Sequence, residues 1–288
     1  MKRPAAELHA QIVWPVAAIL GEGPVWVAGA LWFVDIKQGR LHRLAGDLRE
    51  TFDVGGRPSF IVPADGGLIV GDGNRLRRFT DGAMGEDLAT IDMAVHNRTN
   101  DATVDPAGRL WFGTMDDGES AATGRIYRFD GTEIVKAGGA CTITNGPAVS
   151  PDGRTLYHVD TLSGQIWQAN ISGDAATLDS RPFVSIDPAD GNPDGVSVDS
   201  DGCVWVGLWG GWCARRYAPD GTLLATVYVP CANVTKVAFG GADLRTGYIT
   251  TARAGLSDAE LAEQPLAGGL FAFVAPVAGL ATNAVKIG

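Results

Sequence analysis

Four short segments carry carboxylates and carboxamides where a chain of alternating apolar residues does not need them. In Leu20-Gly-Glu-Gly-Pro-Val-Trp26, Glu22 lies between two glycines just ahead of an apolar stretch. Such glycines let the backbone pack close to whatever the carboxylate holds, although a lone glutamate there reads first as a surface residue. Asn97-Arg-Thr-Asn-Asp-Ala-Thr-Val104 brings Arg98, Asn100 and Asp101 toward one region, or is an Asn/Asp-rich turn. Asn145 in Thr142-Ile-Thr-Asn-Gly-Pro147 and Asp194 in Gly191-Asn-Pro-Asp-Gly-Val-Ser-Val198 each read, in isolation, as turn residues. An oxygen-only set of Glu, Asn and Asp suits a hard divalent cation.

Other chemistries find little support. His9, His42, His96 and His158 are scattered, and no His or Cys set has ligand spacing, which argues against structural zinc. His96 adjoins a candidate segment but reads as a packed or surface residue. No G-x-S-x-G elbow or reactive-cysteine setting is visible, so serine and thiol nucleophiles are not expected. Cys141, Cys203, Cys213 and Cys231 form no C-x-x-C pair and read as buried free thiols, ahead of disulfides or a zinc site.

The elements that position these segments emerge from an internal repeat. A turn with Asp-Gly or a near variant, followed by an alternating apolar strand, recurs along the chain. Asp105-Pro-Ala-Gly-Arg-Leu-Trp-Phe112, Ser150-Pro-Asp-Gly-Arg-Thr-Leu-Tyr157 and Asp199-Ser-Asp-Gly-Cys-Val-Trp-Val206 are its clearest copies. The anchor glycines are Gly29, Gly66, Gly108, Gly153, Gly202 and Gly241, the last in a degenerate copy. Their spacing, roughly 37 to 49 residues, is that of a four-stranded propeller blade. Further turns at Asp81-Gly82, Asp130-Gly131 and Asp220-Gly221 fall between the anchors, as second hairpins of a blade should. Six copies predict an all-β fold, a six-bladed β-propeller of four-stranded antiparallel blades around a central channel, as one domain over residues 1–288. A parallel α/β fold is disfavoured because no amphipathic helix of ten or more residues separates the strands; Ser257–Gln264 reads as a short loop helix with a Ser cap.

The repeat changes the reading of the polar segments. Asn100, Asn145 and Asp194 each fall eight residues before an anchor glycine, and Glu22 falls seven before its own. Equivalent positions in different blades surround one ring, and if these strands are innermost they converge on the channel.

Composition bounds the partners. Forty-five per cent hydrophobic residues can build a sizeable core, and 39 glycines among 288 residues fit many tight turns. The formal net charge of −10, without a basic run, argues against nucleic acid. Lys2 and Arg3 before the apolar run Ile12–Leu20 imitate a signal peptide, but Glu7 and Pro15 interrupt the pattern and no cleavage site follows. No apolar stretch is long enough to span a bilayer. A cytoplasmic monomer without membrane or nucleic-acid partners is expected.

These motifs, taken in order, resemble the family of senescence marker protein 30 (regucalcin), gluconolactonases and related sugar lactonases. The resemblance covers nearly the whole chain and rests on Leu20-Gly-Glu-Gly-Pro, Asn97-Arg-Thr-Asn-Asp, Phe112-Gly-Thr-Met115, Thr144-Asn-Gly-Pro147 with Ser150-Pro-Asp-Gly153, and Pro193-Asp-Gly195. Leu31-Trp-Phe-Val-Asp-Ile-Lys37 and Thr250-Thr-Ala-Arg253 are most similar to bacterial xylonolactonases. The resemblance implies metal binding by Glu22, Asn145 and Asp194, substrate contact by Arg98 and Asn100, and Asp194 as general base. It also implies a substrate-binding acid after the Gly-Thr-Met stretch, where this chain reads Asp116-Asp-Gly-Glu119 and offers Asp117 or Glu119. The implied activity is metal-dependent hydrolysis of a sugar lactone, such as xylonolactone, arabinonolactone, galactonolactone or gluconolactone, by a hydrolase of carboxylic esters. The cation is Ca2+, Mg2+, Mn2+, Zn2+ or Fe2+. A promiscuous esterase or phosphotriesterase, and a non-catalytic metal-binding propeller, are the alternatives; a polar channel mouth favours the lactonase over the esterase.

Overall fold

The structure, a computed structural model, describes residues 5–173 and 177–288; Lys2 and Arg3 lie outside them. Six antiparallel sheets follow one another along the chain. Their first strands are Gly21–Val27, Pro58–Ala64, Asn97–Val104, Thr144–Val149, Asn192–Val198 and Val234–Gly240, and we number blades 1 to 6 accordingly. Each of these strands touches the equivalent strand of the next blade, and the sixth touches the first, so they form the inner wall of a closed ring. Closure leaves the six-bladed propeller predicted from the repeat.

Blade 6 is completed by a strand from early in the chain. Gln11–Trp14 pairs antiparallel with Leu270–Val274 and supplies the outermost strand. Ala6–His9 adds a fifth strand, parallel, to the outer edge of blade 5 at Leu223–Tyr228. An outer strand borrowed from a remote part of the chain ties the ring shut and covers edges that would otherwise invite pairing. The helix expected near Ser257 is Asp258–Glu263, with Ser257 and Glu260 in a capping box and Gln264 as its C-cap.

All six anchor glycines have positive φ, between 71° and 86°. An L side chain is strained there, which is why the repeat reads through glycine. Between blades the alternating strands interdigitate. Phe60 and Ile69 of blade 2 pack with Leu110 and Phe112 of blade 3, for example. A fully buried side chain of this size contributes roughly 1.5–3 kcal/mol by leaving water. Among the described residues the four cysteines are free; Cys141 is half-buried and the others are buried.

One irregularity is repeated in every blade. The pairing of the inner strand with its neighbour shifts register at the same place: between Glu22 and Val25, Pro58 and Phe60, Thr99 and Ala102, Asn145 and Ala148, Pro193 and Val196, and Val234 and Lys236. A bulge re-aims side chains and frees backbone from the ladder. All the polar segments singled out above lie on or beside these bulges, which gives their shared phase a structural cause.

Candidate active site

Glu22, Arg98, Asn100, Asn145 and Asp194 come from blades 1, 3, 4 and 5 and line one cavity of about 310 Å3 at one mouth of the channel. Leu20, Ile143 and Trp209 furnish apolar wall, and Ala254 and Gly255 approach from the loop before the helix. A second, larger cavity of about 380 Å3 opens at the other mouth. It is walled mainly by apolar inner-strand residues and holds none of those five, so volume does not mark the site here. Segment 278–283 crosses that second mouth, with Thr282 Oγ1 donating to the Trp26 carbonyl at 2.9 Å and Asn283 Nδ2 to the Val104 carbonyl at 3.1 Å.

Glu22 is aimed by its bulge. Gly23 has φ of 55°, and its backbone N–H donates to Glu22 Oε2 at 2.7 Å. A Cβ on Gly23 would approach Phe60 Cα to 3.2 Å. Glycine therefore meets both a conformational and a packing need. On blade 5, a Cβ on Gly195 would lie 2.7 Å from Lys236 Cβ, so the residue after Asp194 is small because a lysine stem crosses there.

A chain of side-chain hydrogen bonds fixes the carboxamides. Arg98 Nη1 donates to Asn100 Oδ1 at 2.6 Å, Asn100 Nδ2 donates to Asn145 Oδ1 at 2.9 Å, and Asn145 Nδ2 donates to Thr161 Oγ1 at 3.0 Å. Asn100 Nδ2 also reaches the Thr144 carbonyl at 2.7 Å. With each amide nitrogen committed to an acceptor, its oxygen is the atom that accepts, and Asn145 Oδ1 has capacity left for a further partner.

The acidic loop after Met115 divides its labour. Asp116 accepts from the backbone N–H groups of Ser120, Ala121 and Gly118, which hold its carboxyl well below the usual range. Asp117 does not line the cavity. It meets Arg98 Nε at 2.8 Å, Arg57 Nη2 at 3.2 Å and Lys37 Nζ at 3.5 Å. Burial raises its proton affinity, but Arg98 and the two other cations outweigh that, and its pKa ends below normal. Glu119 does line the cavity, held there with φ of 56°.

The electrostatics of Glu22 and Asp194 differ from all of these. Burial, then the neighbouring Asp101, push Glu22 up to about 8, against weaker opposition from Gly23 N–H, Lys236 and Arg98. Burial, then Glu22 and Asp101, push Asp194 well above the carboxylate range. Two buried carboxylates, both raised by Asp101, with Asp194 raised by Glu22 as well, are under-compensated, which is the condition a bound cation relieves. Among the described residues, no three His, Cys, Asp or Glu side chains form a group that could hold a metal by themselves. Glu22, Asp194 and the Asn145 amide bring hard oxygens to the same cavity, the donor type that suits a divalent ion.

Two residues that border the site, Thr161 on its wall and Lys236 behind it, carry no motif that marks them in the sequence. Thr161, the acceptor for Asn145, follows a strand in a short 3-10 turn and carries no motif. Lys236 sits in the wholly buried strand Val234–Gly240, where a charge amid apolar neighbours is the one available signal.

The chain matches the family described as SMP-30/Gluconolactonase/LRE-like region over residues 20–253. It is 35% identical to a 6-deoxy-6-sulfogluconolactonase of Pseudomonas putida, over 92% of this chain and 94% of that protein. It is 34% identical to an L-arabinolactonase of Azospirillum brasilense, over 91% of each. Among solved structures, a regucalcin from Agrobacterium tumefaciens, described as a calcium-binding protein, superposes with a TM-score of 0.91 at 25% identity, covering 98% of this chain and 99% of that one. No helix among the described residues is long and apolar enough to cross a membrane.

Proposed function

From the premise that the chain belongs to the SMP-30/gluconolactonase/LRE-like family, we propose that it hydrolyses a sugar lactone to the aldonic acid, using one divalent cation at Glu22, Asn145 and Asp194. The observation that carries this reading is the convergence of those three oxygen donors, from three blades, on the cavity that also holds Arg98 and Asn100. Relatives at 35% and 34% identity are named lactonases for different sugars, which supports the reaction class and leaves the sugar open.

When bound, a divalent cation supplies Lewis-acid polarisation of the lactone carbonyl and a charge that orients water. The chain's own residues do the rest. Asp194, open to the cavity, takes the proton from the attacking water. The water oxygen joins the carbonyl carbon, the ring C–O bond breaks, and the ring oxygen leaves as a hydroxyl after gaining a proton. Arg98 donates to oxygen that becomes negative at the carbonyl, within a site largely shielded from solvent. The Arg98–Asn100–Asn145 hydrogen-bond chain keeps these donors in register before substrate arrives, so little reorganisation is needed at the moment of reaction. Glu119, on the same cavity wall, would accept from sugar hydroxyls, and so would Asn100 Oδ1, because Asn100 Nδ2 is already committed to the Thr144 carbonyl and Asn145 Oδ1. The charged and carboxamide side chains that converge here, Glu22, Arg98, Asn100, Glu119, Asn145 and Asp194, favour a sugar lactone over an apolar ester.

The test is proton release from a panel of pure pentono- and hexonolactones, corrected for spontaneous opening. It is run on purified protein before chelation, after chelation and with Ca2+, Mg2+, Mn2+, Zn2+ or Fe2+ restored singly. Chelator-sensitive hydrolysis of at least one member is expected. Absence of any such activity sinks the lactonase reading.

A further inference from the structure

The lactonase reading leaves unused a lysine inside the central channel. Lys236 lies on the inner strand of blade 6, every residue of which is buried. Its Nζ is 2.6 and 2.7 Å from the two carboxylate oxygens of Asp101, on the inner strand of blade 3. Blades 3 and 6 are three apart in a ring of six, so the pair spans the channel. The side chains are 8% and 1% exposed, and the lysine stem packs where Gly195 leaves room beside Asp194. Asp101 and Lys236 are also the charged residues that line the cavity of the opposite mouth. They form a crossbar between the larger cavity on one side and the candidate site on the other.

The charges explain why a crossbar of this chemistry is needed. Three carboxylates, Glu22, Asp101 and Asp194, are buried on the inner strands here; Asp101 directly follows Asn100, and the stem of its lysine partner crosses at Gly195 beside Asp194. One divalent cation balances two of them. We infer that Lys236 is a positioning residue whose tethered ammonium neutralises Asp101 and keeps it out of the cation's ligand set, so that the site remains a two-carboxylate site. This inference rests on the cation site proposed above.

The two halves of the pair then have opposite effects on cation affinity. Without the ammonium, Asp101 becomes a third carboxylate facing the ion, and divalent affinity rises with the number of charged ligands. Without Asp101, an unpaired ammonium stands beside Glu22 and Asp194 and competes with the ion for them.

Calorimetric titration of metal-free protein with Mn2+ and, separately, with Ca2+ tests this in wild type, Lys236→Met, Asp101→Asn and the double variant. Lys236→Met is expected to bind roughly tenfold tighter and Asp101→Asn roughly tenfold weaker, with the double variant within about threefold of wild type. A purely structural role moves both single variants in the same direction, in step with their loss of Tm. That pattern, or affinities within about threefold across all four proteins, overturns the inference. Should Lys236→Met not fold, the step from Asp101→Asn to the double variant decides: affinity must recover, and failure to recover overturns the inference. Wild type binding neither ion would instead remove the cation site itself, and the inference with it.

Discussion

Asp105 in blade 3 and Asp199 in blade 5 are buried as deeply as Glu22 and Asp194 in the channel, yet their surroundings differ. The Asp105 carboxylate accepts from the N–H groups of Ala107 and Arg109, from Arg109 Nε at 2.6 Å and from Trp111 Nε1 at 2.9 Å. Asp199 repeats the arrangement with Asp201 and Cys203 N–H, Trp205 Nε1 at 2.8 Å and Arg216 Nε at 2.7 Å. Each thus combines backbone donors, an indole and a guanidinium, and each locks the turn that launches a blade's second strand. In the channel, Glu22 has one backbone donor and two carboxylates for neighbours, and its pKa rises. The same residue chemistry is satisfied where it holds the fold and left under-compensated where it faces the cavity. Such local violation of an otherwise satisfied structure is what functional sites tend to show.

Substitution separates the two kinds of carboxylate most sharply through kinetics. Asp194→Asn is expected to lower kcat about 10^3-fold, the scale of a lost general base. Its metal-free Tm should stay level or rise, because an under-compensated buried charge has been removed. A comparable kcat with a lowered Tm would place Asp194 with the structural set. Asp199→Asn should do the reverse. Arg216 is left without its buried anion, and breaking such a pair costs about 3–5 kcal/mol, read as a lower midpoint in urea, while kcat/KM of the protein that remains folded stays within about twofold. Loss of activity without loss of stability would break the contrast.

The contrast is partly legible in the amino-acid sequence. The turn carboxylates show themselves through the repeat, since Asp105 and Asp199 stand three residues ahead of anchor glycines in matching sequence. Asn100, Asn145 and Asp194 are brought together by their common offset from those anchors, and the bulge shared by the inner strands is why the offset has meaning. Lys236 is not legible in this way. Its partner lies 135 residues away on the facing blade, and no local pattern encodes a contact across a ring. The choice between Asp117 and Glu119 also lies beyond the sequence, because it depends on how Asp116 ties the loop.

His42 offers a third way to bury a titratable group, and it bounds the contrast at low pH. It is 2% exposed, stacks on Phe33 at 4.8 Å and shares a hydrogen bond with Thr51 Oγ1 through Nδ1, while Nε2 has no hydrogen-bond partner among the described residues. Burial lowers its pKa to about 4. The unfolded chain binds a proton below about 6.5 and the native protein does not until about 4. The neutral ring's contribution is therefore present above the unfolded pKa and is lost as pH falls from about 6.5 toward 4, by up to about 3 kcal/mol. His42→Phe should make that limb of the stability–pH profile shallower without abolishing it, because burial lowers His158 to about 4 as well. An unchanged limb would assign the acid sensitivity elsewhere.

The finest test lies at the rim, where a carboxylate belongs to neither kind. Asp117 is half-buried and paired, like the turn carboxylates, but the cation it holds closest is Arg98, the arginine we propose contacts substrate. Asp117→Asn removes the charge and keeps the shape. Arg98 retains its bonds to Asn100 Oδ1 and the Thr99 carbonyl, so the guanidinium is loosened without being released. A rise in KM of roughly five- to tenfold, with kcat changed less than about twofold, is the expected result, because one charge-assisted hydrogen bond is lost from the residue proposed to bind substrate. Glu119→Gln should also raise KM, but only for lactones that carry the hydroxyls it can reach, and not for an unsubstituted lactone of the same ring size. If Asp117→Asn shows that same dependence on substrate hydroxyls, the acid at position 117 reads the sugar directly, and the division of labour within this loop must be redrawn.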